Sequence, residues 1–212
     1  MLFENFAKNV SQGNRQKKYD FFIKEFTPAA DTKILDVGFQ DNDWYGGINS
    51  LEKNYPYHEN ITALGIEDGK MFSQRYPLVK VVTYDGNIFP FKDKEFSIVW
   101  SNAVIEHVGG YEKQKLFLSE LIRTGKSVFM TTPNRYFPIE VHTRLPLLHF
   151  LPKVNFDKIL IFLNKKWATG NYMNLLSEND IKKMMKELGV LNYSIKKNKF
   201  LFFTLDFVVV IR

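Results

Sequence analysis

Short apolar runs alternate with amphipathic segments along much of the chain. The apolar runs are rich in β-branched and aromatic residues and end in small or polar residues, which is typical of buried parallel strands. They predict strands over residues 33–37, 61–66, 78–84, 96–100 and 127–131. The segments before and between them predict helices over residues 14–26, 44–54, 68–75 and 111–124. Strands that alternate with helices indicate an α/β protein with a parallel, doubly wound sheet.

The C-terminal part of the chain has a different pattern. Ser177 precedes an amphipathic run that continues to Leu188, and Gly189 follows it, so a capped helix is predicted here. Residues 191–195 and 205–211 then predict two strands with a short turn region between them.

Residues 133–174 form an insertion after the fifth predicted strand, rich in aromatic residues and prolines, and we expect it to be helical. A long excursion from the carboxyl end of a strand would lie over a ligand crevice. Two interpretations stay open: a lid that contacts the substrate, or a packed flap that completes the core. At 212 residues, we expect a single domain that spans residues 1–212 and includes this insertion.

Composition narrows the class of protein. The chain contains no cysteine, which excludes disulfides, thiolate metal sites and cysteine nucleophiles. The first residues carry no basic region ahead of an apolar run, so we expect no secretory signal. No stretch approaches the ~20 apolar residues that a membrane helix needs. We therefore expect a cytoplasmic protein without a transmembrane segment.

The formal net charge of +6 bears on the choice of partner. A basic protein can attract nucleic acid, anionic lipid or an anionic substrate. The lysines form separated pairs rather than long runs, and such pairs are typical of solvated helix faces. Nucleic acid is therefore not the expected partner. Contact with a lipid surface stays open.

Candidate chemistry lies where the predicted strands end. Because the carboxyl ends of parallel strands meet at one edge of a sheet, the polar residues there predict a ligand crevice. They are Asp36 and Gly38 after the first strand, Glu67 after the second, Asp85 and Gly86 after the third, and Ser101 and Asn102 after the fourth.

This order of strands and end residues, over roughly Lys33 to Asn134, resembles the class I S-adenosylmethionine-dependent methyltransferases, particularly the type 11 group. The aromatic-rich approach to the fourth strand, Phe89 to Phe96, is similar to that group as well. The resemblance implies a Rossmann-like, seven-stranded sheet that is mostly parallel and ends in an antiparallel hairpin. It also implies an enzyme with S-adenosyl-L-methionine as its cofactor.

The resemblance assigns cofactor-binding roles to the same strand ends. Glu67 would accept hydrogen bonds from the ribose, and Asp85 from the adenine amino group, with Gly86 leaving room for the ring. Asp36 and Gly38 would form the turn near the cofactor, and Ser101 and Asn102 would lie beside its methionine part. Plainer interpretations stay open, because Glu67 could open a helix as a surface acid and Asp85 could be a turn residue.

The first turn departs from the family pattern. Gln40 and Asn42 occupy the two later positions at which the family has glycine. Asparagine tolerates a left-handed backbone better than most residues, but the loop path and the cofactor affinity both depend on these positions. This departure favours an alternative hypothesis, a binding module or pseudoenzyme that keeps the crevice without catalysis.

Glu106 and His107 are the first candidates for catalysis. Histidine can take a proton from an attacking hydroxyl near neutral pH, and His142 in the insertion is a second candidate base. A structural histidine is the plainer interpretation. Metal binding is a third, since some relatives carry Glu-x-x-Glu-His on this segment. Ala103 fills the first of those positions here, so we predict no metal site.

The resulting hypothesis is methyl transfer from S-adenosylmethionine to a small-molecule, sugar or lipid-linked acceptor. Arg135 and Arg144 in the insertion could bind an anionic acceptor, or they could form surface salt bridges. A nucleic-acid methyltransferase is an alternative, although the fourth strand is not followed by an Asn-Pro-Pro-Tyr type motif. A nicotinamide-dependent dehydrogenase is disfavoured, because no Gly-x-Gly-x-x-Gly follows the first strand.

Overall fold

The computed structural model describes residues 2–43, 48–140, 142–170 and 172–212. The chain divides into two compact units. The first contains Met1–Ser101 and Thr124–Phe129, and the second contains Asn102–Arg123 and Met130–Arg212. The single-domain organisation expected from the length stays a prediction.

A seven-stranded sheet, in the order β3-β2-β1-β4-β5-β7-β6, is the framework of the fold. β1 pairs in parallel with β2 and with β4, β2 pairs in parallel with β3, and β6 and β7 form an antiparallel hairpin. The predicted fold class is therefore confirmed. The strands are β1 Ile34–Val37, β2 Ile61–Gly65, β3 Lys80–Thr83, β4 Phe96–Asn102, β5 Gly125–Pro133, β6 Tyr193–Phe200 and β7 Phe203–Ile211.

Six α-helices accompany the strands in the described part of the chain. They are α1 Leu2–Phe26, α2 Ser50–Asn54, α3 Lys70–Arg75, α4 Tyr111–Thr124, α5 Lys153–Phe162 and α6 Glu178–Glu187. Helix α4 has the predicted bounds, whereas α1 begins well before the predicted start. Only the last part of the helix predicted over residues 44–54 is observed, and residues 44–47 lie outside the described chain.

Aromatic stacking forms the centre of the first unit. The rings of Trp100 on β4 and Phe129 on β5 are stacked, with centroids 4.8 Å apart and planes 3° apart. Phe22 of α1 meets both rings edge-on, at 5.0 Å and 5.4 Å. Such pairs contribute roughly 0.5–1.5 kcal/mol beyond the burial of their area. They fix α1 against the strands and account for part of the high phenylalanine content.

The second unit contains α6, which begins at the predicted cap. The Ser177 side chain accepts a hydrogen bond from the Asp180 backbone N–H, and the Asp180 carboxylate accepts from the Ser177 backbone N–H. This reciprocal capping box satisfies two backbone donors that the first turn would otherwise leave without partners.

The terminal strands are longer than predicted. Strand β6 is a sheet edge, and Lys196, Lys197 and Lys199 point to solvent along it. Charged residues on an edge strand conceal the apolar alternation from which strands are predicted. The insertion predicted to be helical contains α5 and the short 3₁₀ helices Leu148–Phe150 and Lys166–Ala168. In the part of the chain that the structure describes, no helix combines the length and hydrophobicity needed to span a membrane.

Candidate active site

The turn after β1 is held by a residue that the sequence analysis missed. Gly38 has a φ of 100°, where a side chain would be strained, and its N–H donates to the Leu64 carbonyl at 2.8 Å. The Asn49 side chain then accepts from the Gln40 N–H at 3.0 Å and donates to the Gln40 carbonyl at 2.8 Å. Asn49 is buried. Its amide thus fixes the backbone at one of the positions where the family has glycine.

Glu67 lies directly after β2 and bonds to the same turn. Its Oε2 accepts from the Asp41 backbone N–H at 2.6 Å, and Asp41 Oδ1 in turn accepts from the Phe72 N–H at 2.8 Å. The Glu67 side chain is exposed. It is therefore near the turn and open to solvent, and it does not open helix α3, which begins at Lys70 with Gly69 as its N-cap.

Asp85, the candidate partner of the adenine amino group, is exposed. Its two carboxylate oxygens accept from the Asn87 backbone N–H at 3.0 Å and the Asn87 side-chain amide at 2.9 Å, which turns the side chain outward. Gly86 has a φ of 81°. A Cβ at Gly86 would lie 3.8 Å from Ile66 Cγ2, so the Ile66 side chain adjoins this turn.

Two isoleucines are exposed beside these two acids. Ile66, before Glu67, is 74% exposed, and Ile88, near Asp85, is 57% exposed. Phe89, which follows Ile88, is buried and meets the Tyr84 ring edge-on at 5.3 Å. Apolar side chains open to solvent next to carboxylates suit a flat, partly polar ligand.

The end of β4 passes from one unit to the other between Ser101 and Asn102. Ser101 is fully buried, and its hydroxyl has no hydrogen-bond partner in the described chain. Within the second unit, Asn102 Oδ1 accepts from the Thr131 hydroxyl at 2.7 Å. Ala103 then takes a left-handed conformation with a φ of 60°, which ends the strand.

Asp36 faces a second carboxyl group that the sequence analysis also missed. Asp36 and Glu52 of α2 are both buried in the first unit. Burial, and then the negative charge of Glu52, raises the pKa of Asp36 well above its ordinary value. Burial raises the pKa of Glu52 as well. Two buried carboxyl groups that act on each other in this way favour holding a proton rather than ionising together.

The candidate catalytic residues come together in the second unit. Glu106 and His107 lie on the 3₁₀ helix Ile105–His107, which follows the turn at Ala103. Nε2 of His107 is 3.1 Å from Nε2 of His142, although the two residues are 35 positions apart in the chain. The two rings are nearly perpendicular, at 86°.

Glu140 orients His142. Its Oε1 lies 2.8 Å from His142 Nδ1 and accepts from the His142 backbone N–H at 3.0 Å, while Oε2 accepts from the Thr143 N–H and hydroxyl. Burial opposes ionisation of Glu140, but the bonds from His142 and Thr143 and the charge of His142 lower its pKa to about 2. Burial lowers the pKa of His142, but the hydrogen bond and charge of Glu140 outweigh it and leave that pKa raised.

The partners of the two rings fix where their protons lie. Nδ1 of His142 faces a carboxylate, and Nδ1 of His107 faces the Tyr172 carbonyl at 3.0 Å, so each Nδ1 acts as a donor. The two Nε2 atoms can then form a hydrogen bond only if one of them carries an additional proton. A hydrogen bond between the two Nε2 atoms would thus place one positive charge on the pair, and Glu140 lies on the other side of His142, where its carboxylate would stabilise that charge.

Glu106 lies against this pair and is completely buried. Its Oε2 accepts from the Thr132 hydroxyl at 3.1 Å, and its Oε1 has no hydrogen-bond partner in the described chain. Burial raises its pKa, and the charges of His107 and His142 oppose that rise. One ligand atom from each of Glu106, His107 and His142 lies within 4.8 Å of the others, which is compact enough for a metal ion.

Gln114 of α4 connects two parts of this cluster. Its side-chain amide donates to the Ile105 carbonyl at 3.2 Å and to the Asn174 carbonyl at 2.7 Å. The Asn174 N–H also donates to the Glu106 carbonyl at 2.7 Å. These bonds hold the end of the insertion against the 3₁₀ helix that carries the catalytic candidates. Nothing in the local sequence around Gln114 indicates this role, because Asn174 is 60 positions away along the chain.

The remaining candidates are peripheral. Arg135 and Arg144 are exposed and make no ion pair with other described residues, which does not fit the salt-bridge interpretation. His149 Nε2 lies 3.2 Å from the Arg135 carbonyl, and His58 Nε2 lies 2.7 Å from the Glu52 carbonyl. Both of these histidines bond to backbone, as expected for structural residues.

Comparisons with known proteins bear on the fold. Residues 49–127 match the family model described as "Methyltransferase domain". The fold is similar to that of a SAM-dependent methyltransferase from Methanosarcina mazei, with 14% identity over 89% of this chain and 95% of that one, at a TM-score of 0.54. A SAM-dependent methyltransferase from Aquifex aeolicus gives 15% identity, 91% and 87% coverage, and a TM-score of 0.53.

A third similar structure contains a ligand. Magnesium protoporphyrin IX methyltransferase from Synechocystis, solved with bound SAH, shares 12% identity over 93% of this chain and 82% of that one, at a TM-score of 0.55. No curated protein matches the chain in sequence. The family match over residues 49–127 and the fold together confirm the predicted resemblance to the class I S-adenosylmethionine-dependent methyltransferases, whose cofactor is S-adenosylmethionine.

The Asp36–Glu52 pair predicts a pH-dependent stability. Because the pKa of Asp36 is raised from 3.8, the folded chain keeps a proton that the unfolded chain releases, so stability falls as pH rises from 3.8 through the folded-state pKa. Asp36→Asn removes this penalty. We expect the variant to be more stable than wild type at high pH, with the difference shrinking as the pH falls towards 3.8. Thermal melts across this range measure it.

Asp31→Asn, at an exposed aspartate of the same unit, is the matched control and should change the melting temperature little at any pH. A stability difference for Asp36→Asn that does not vary with pH would contradict a shared proton at this position.

Glu140→Gln should lower the pKa of His142, because the amide keeps an acceptor oxygen but loses the charge that stabilises the imidazolium. The titration of the His142 ring protons by NMR measures this change directly. Glu112→Gln, at an exposed acid bonded to Lys115, should leave the titration unchanged. An unchanged His142 titration in the folded Glu140→Gln variant would show that Glu140 does not control this ring.

Proposed function

We propose that this enzyme transfers the methyl group of S-adenosylmethionine to a hydroxyl group of a small-molecule, saccharide or lipid-linked acceptor, whose proton passes to the His107–His142 pair. The observation that carries this proposal is the contact between the two Nε2 atoms, 3.1 Å apart, with both Nδ1 atoms bonded to oxygen acceptors. A histidine pair oriented at both ends is suited to proton transfer rather than to packing alone.

The strand ends of the first unit provide the proposed cofactor contacts. Glu67 would bond the ribose hydroxyls, and Asp85 the adenine amino group, with the exposed Ile66 and Ile88 side chains against the base. Gly38 would allow the backbone to approach the cofactor, and the Asp36 carboxyl would lie behind this turn. The buried Ser101 hydroxyl, which has no partner in the described chain, would gain one from the methionine part of the cofactor, with Asn102 next to it.

The chemical step would be a direct displacement at the sulfonium methyl group. The acceptor oxygen attacks the methyl carbon, the carbon–sulfur bond breaks, and its electron pair returns to sulfur to give S-adenosylhomocysteine. Because the positive charge on sulfur disappears in this step, alignment and exclusion of water are the main contributions that the protein can make.

The hydroxyl proton would be taken up by the histidine pair. When the pair has lost its additional proton, the lone pair of one Nε2 atom is available to accept a proton from the acceptor. Uptake of that proton restores the bonded pair described above, with Glu140 stabilising the positive charge. The pair is then the base, Glu140 is a positioning residue, and Glu106 contributes a nearby negative charge when it is ionised.

The surroundings of the cluster bear on the acceptor. Arg135 and Arg144 flank the segment that carries Glu140 and His142, and both are exposed without an ion pair in the described chain. Guanidinium groups in this state are suited to a phosphate or carboxylate. We therefore favour an anionic hydroxyl compound, such as a sugar phosphate, as the first class to screen.

Metal-assisted transfer is a second candidate, favoured by the compact Glu106–His107–His142 set and by the unpartnered Glu106 Oε1. The sequence analysis predicted no metal, and that prediction is testable with the same assay. Activity that survives exhaustive treatment with a chelator supports the histidine base. Activity that is lost on chelation and restored by a divalent cation would favour the metal.

Asp85→Ala should weaken S-adenosylmethionine binding. A charge-assisted hydrogen bond contributes roughly 1.5–3 kcal/mol, so the dissociation constant should rise about 10- to 100-fold. Calorimetric titration of the folded variant measures this change. Asp31→Ala, at an exposed aspartate outside the strand ends, is the control and should bind normally. An unchanged affinity in Asp85→Ala would contradict the proposal that Asp85 binds the adenine amino group.

His107→Gln should separate binding from turnover. Loss of a general base lowers kcat by roughly 10²–10⁴-fold, while the affinity for S-adenosylmethionine should stay within about twofold of wild type. In the wild type, kcat/KM should fall with decreasing pH as the pair takes up its additional proton. The assay uses methyl-labelled cofactor with an acceptor found among sugar phosphates and hydroxy acids.

His149→Gln is the matched control, because this histidine bonds only to backbone among the described residues. It should keep near-normal turnover. Full activity in His107→Gln, with the acid limb of the pH profile unchanged, would return His107 to a structural role.

A further inference from the structure

Helix α5 in the insertion has two apolar faces, and the described part of the chain covers only one of them. Phe156 and Leu160 are buried, and they form a small core with Ala168. The opposite side of the same helix exposes Val154 (66%) and Ile161 (53%) to solvent. A helix that is apolar on both sides normally has a neighbour on each side.

The exposed apolar surface continues on both sides of α5. We call these residues, which all lie between positions 147 and 167, the insertion patch: Leu147, Phe150, Leu151, Val154, Ile161, Phe162, Leu163 and Trp167. Phe162, at the end of the helix, is 86% exposed. Single exposed apolar residues are common, but a set of this size within one short segment marks an interaction surface.

Basic side chains accompany the insertion patch. The same segment carries Lys153, Lys158, Lys165 and Lys166, and Asp157 is its one acidic residue. Asp157 bonds to Lys153 at 2.6 Å. The other three lysines make no ion pair with described residues, so their charge is available to a partner.

We propose that the insertion patch docks onto the surface of an anionic lipid bilayer. Large apolar side chains enter the boundary between headgroups and acyl chains, lysines bind anionic headgroups, and tryptophan is favoured at that depth. Docking is the appropriate mode, because no described helix is able to span a membrane. The sequence analysis left contact with a lipid surface open. The insertion patch is the part of the protein that we propose makes this contact.

Other partners fit these residues less well. A second copy of the chain would bring the same lysines against each other, which like charges oppose. Protein interfaces are depleted in lysine at their cores, whereas membrane-surface segments are enriched in it. Nucleic acid would use the lysines but would leave the eight apolar side chains without a partner.

The tip of the β6–β7 hairpin is a second exposed apolar point in the same unit. Leu201, Phe202 and Phe203 are 75%, 94% and 52% exposed. β7 starts beside Asn134, the residue from which the insertion leaves β5, because the Asn134 N–H donates to the Leu205 carbonyl at 2.9 Å. The tip is thus near the base of the insertion, where it could reach the same bilayer.

The test is flotation of the full chain with vesicles of phosphatidylcholine alone or mixed with phosphatidylglycerol. The wild type should float with the anionic vesicles, much less with the neutral ones, and less at high salt. Phe162→Ser should weaken binding about tenfold by removing an inserted side chain. Lys165→Gln with Lys166→Gln should weaken binding to anionic vesicles and remove most of its salt dependence.

Leu191→Ser is the matched control, because Leu191 is 94% exposed and lies outside the insertion patch. It should bind vesicles as the wild type does. All of these changes are at surface positions, and an unchanged far-UV circular dichroism spectrum checks that each variant is folded. Vesicle flotation does not depend on methyl transfer. The docking proposal is therefore tested independently of the proposed function.

Three results would overturn the proposal. The wild type could fail to float with either kind of vesicle. Phe162→Ser could bind as strongly as Leu191→Ser. Sedimentation could show a dimer of the wild type that Phe162→Ser dissociates, in which case a second copy of the chain covers the patch.

Discussion

The carboxylate of Glu140 is the group on which the candidate catalytic cluster depends. It is buried, and it accepts hydrogen bonds from both the backbone and the side chain of His142 and of Thr143. A buried charge is stable only when such partners surround it. Through these bonds one side chain shapes the turn of the insertion, sets the tautomer of His142 and directs its Nε2 towards His107. The candidate chemistry of the second unit therefore depends on Glu140, a buried acid that has to be ionised.

The sequence predicted the sheet well because its strands are local patterns. Helix α4 and the ends of β1 to β4 were located from periodicity and from the small or polar residues that follow each run. The groups that hold the site together were missed for a common physical reason. Asn49 on the Gln40 backbone, Glu52 beside Asp36, and the Tyr172 carbonyl at His107 act across distances along the chain that no local pattern encodes. Asp85 is a different case, because its bonds to Asn87 are local and fit the plainer interpretation of Asp85 as a turn residue.

Fold and acceptor are determined by different parts of such a protein. Methyltransferases with about 12–15% identity to this chain share its fold at TM-scores between 0.53 and 0.55. The family model matches residues 49–127, which end before the insertion begins. Fold alone does not specify a substrate. The insertion, with His142, Glu140 and the two exposed arginines, is where the proposed acceptor chemistry of this chain is concentrated.

The outer strand of the sheet has a consequence for how the protein behaves at high concentration. Among the described residues, β6 has no neighbouring strand on its outer side, and the backbone N–H and C=O groups of such an edge can recruit another chain into a growing sheet. Lys196, Lys197 and Lys199 point outward from it. A second copy that tried to pair there would bring like charges within a few ångströms of each other. The lysines that hid this strand from prediction thus also protect the native protein from fibrillar aggregation.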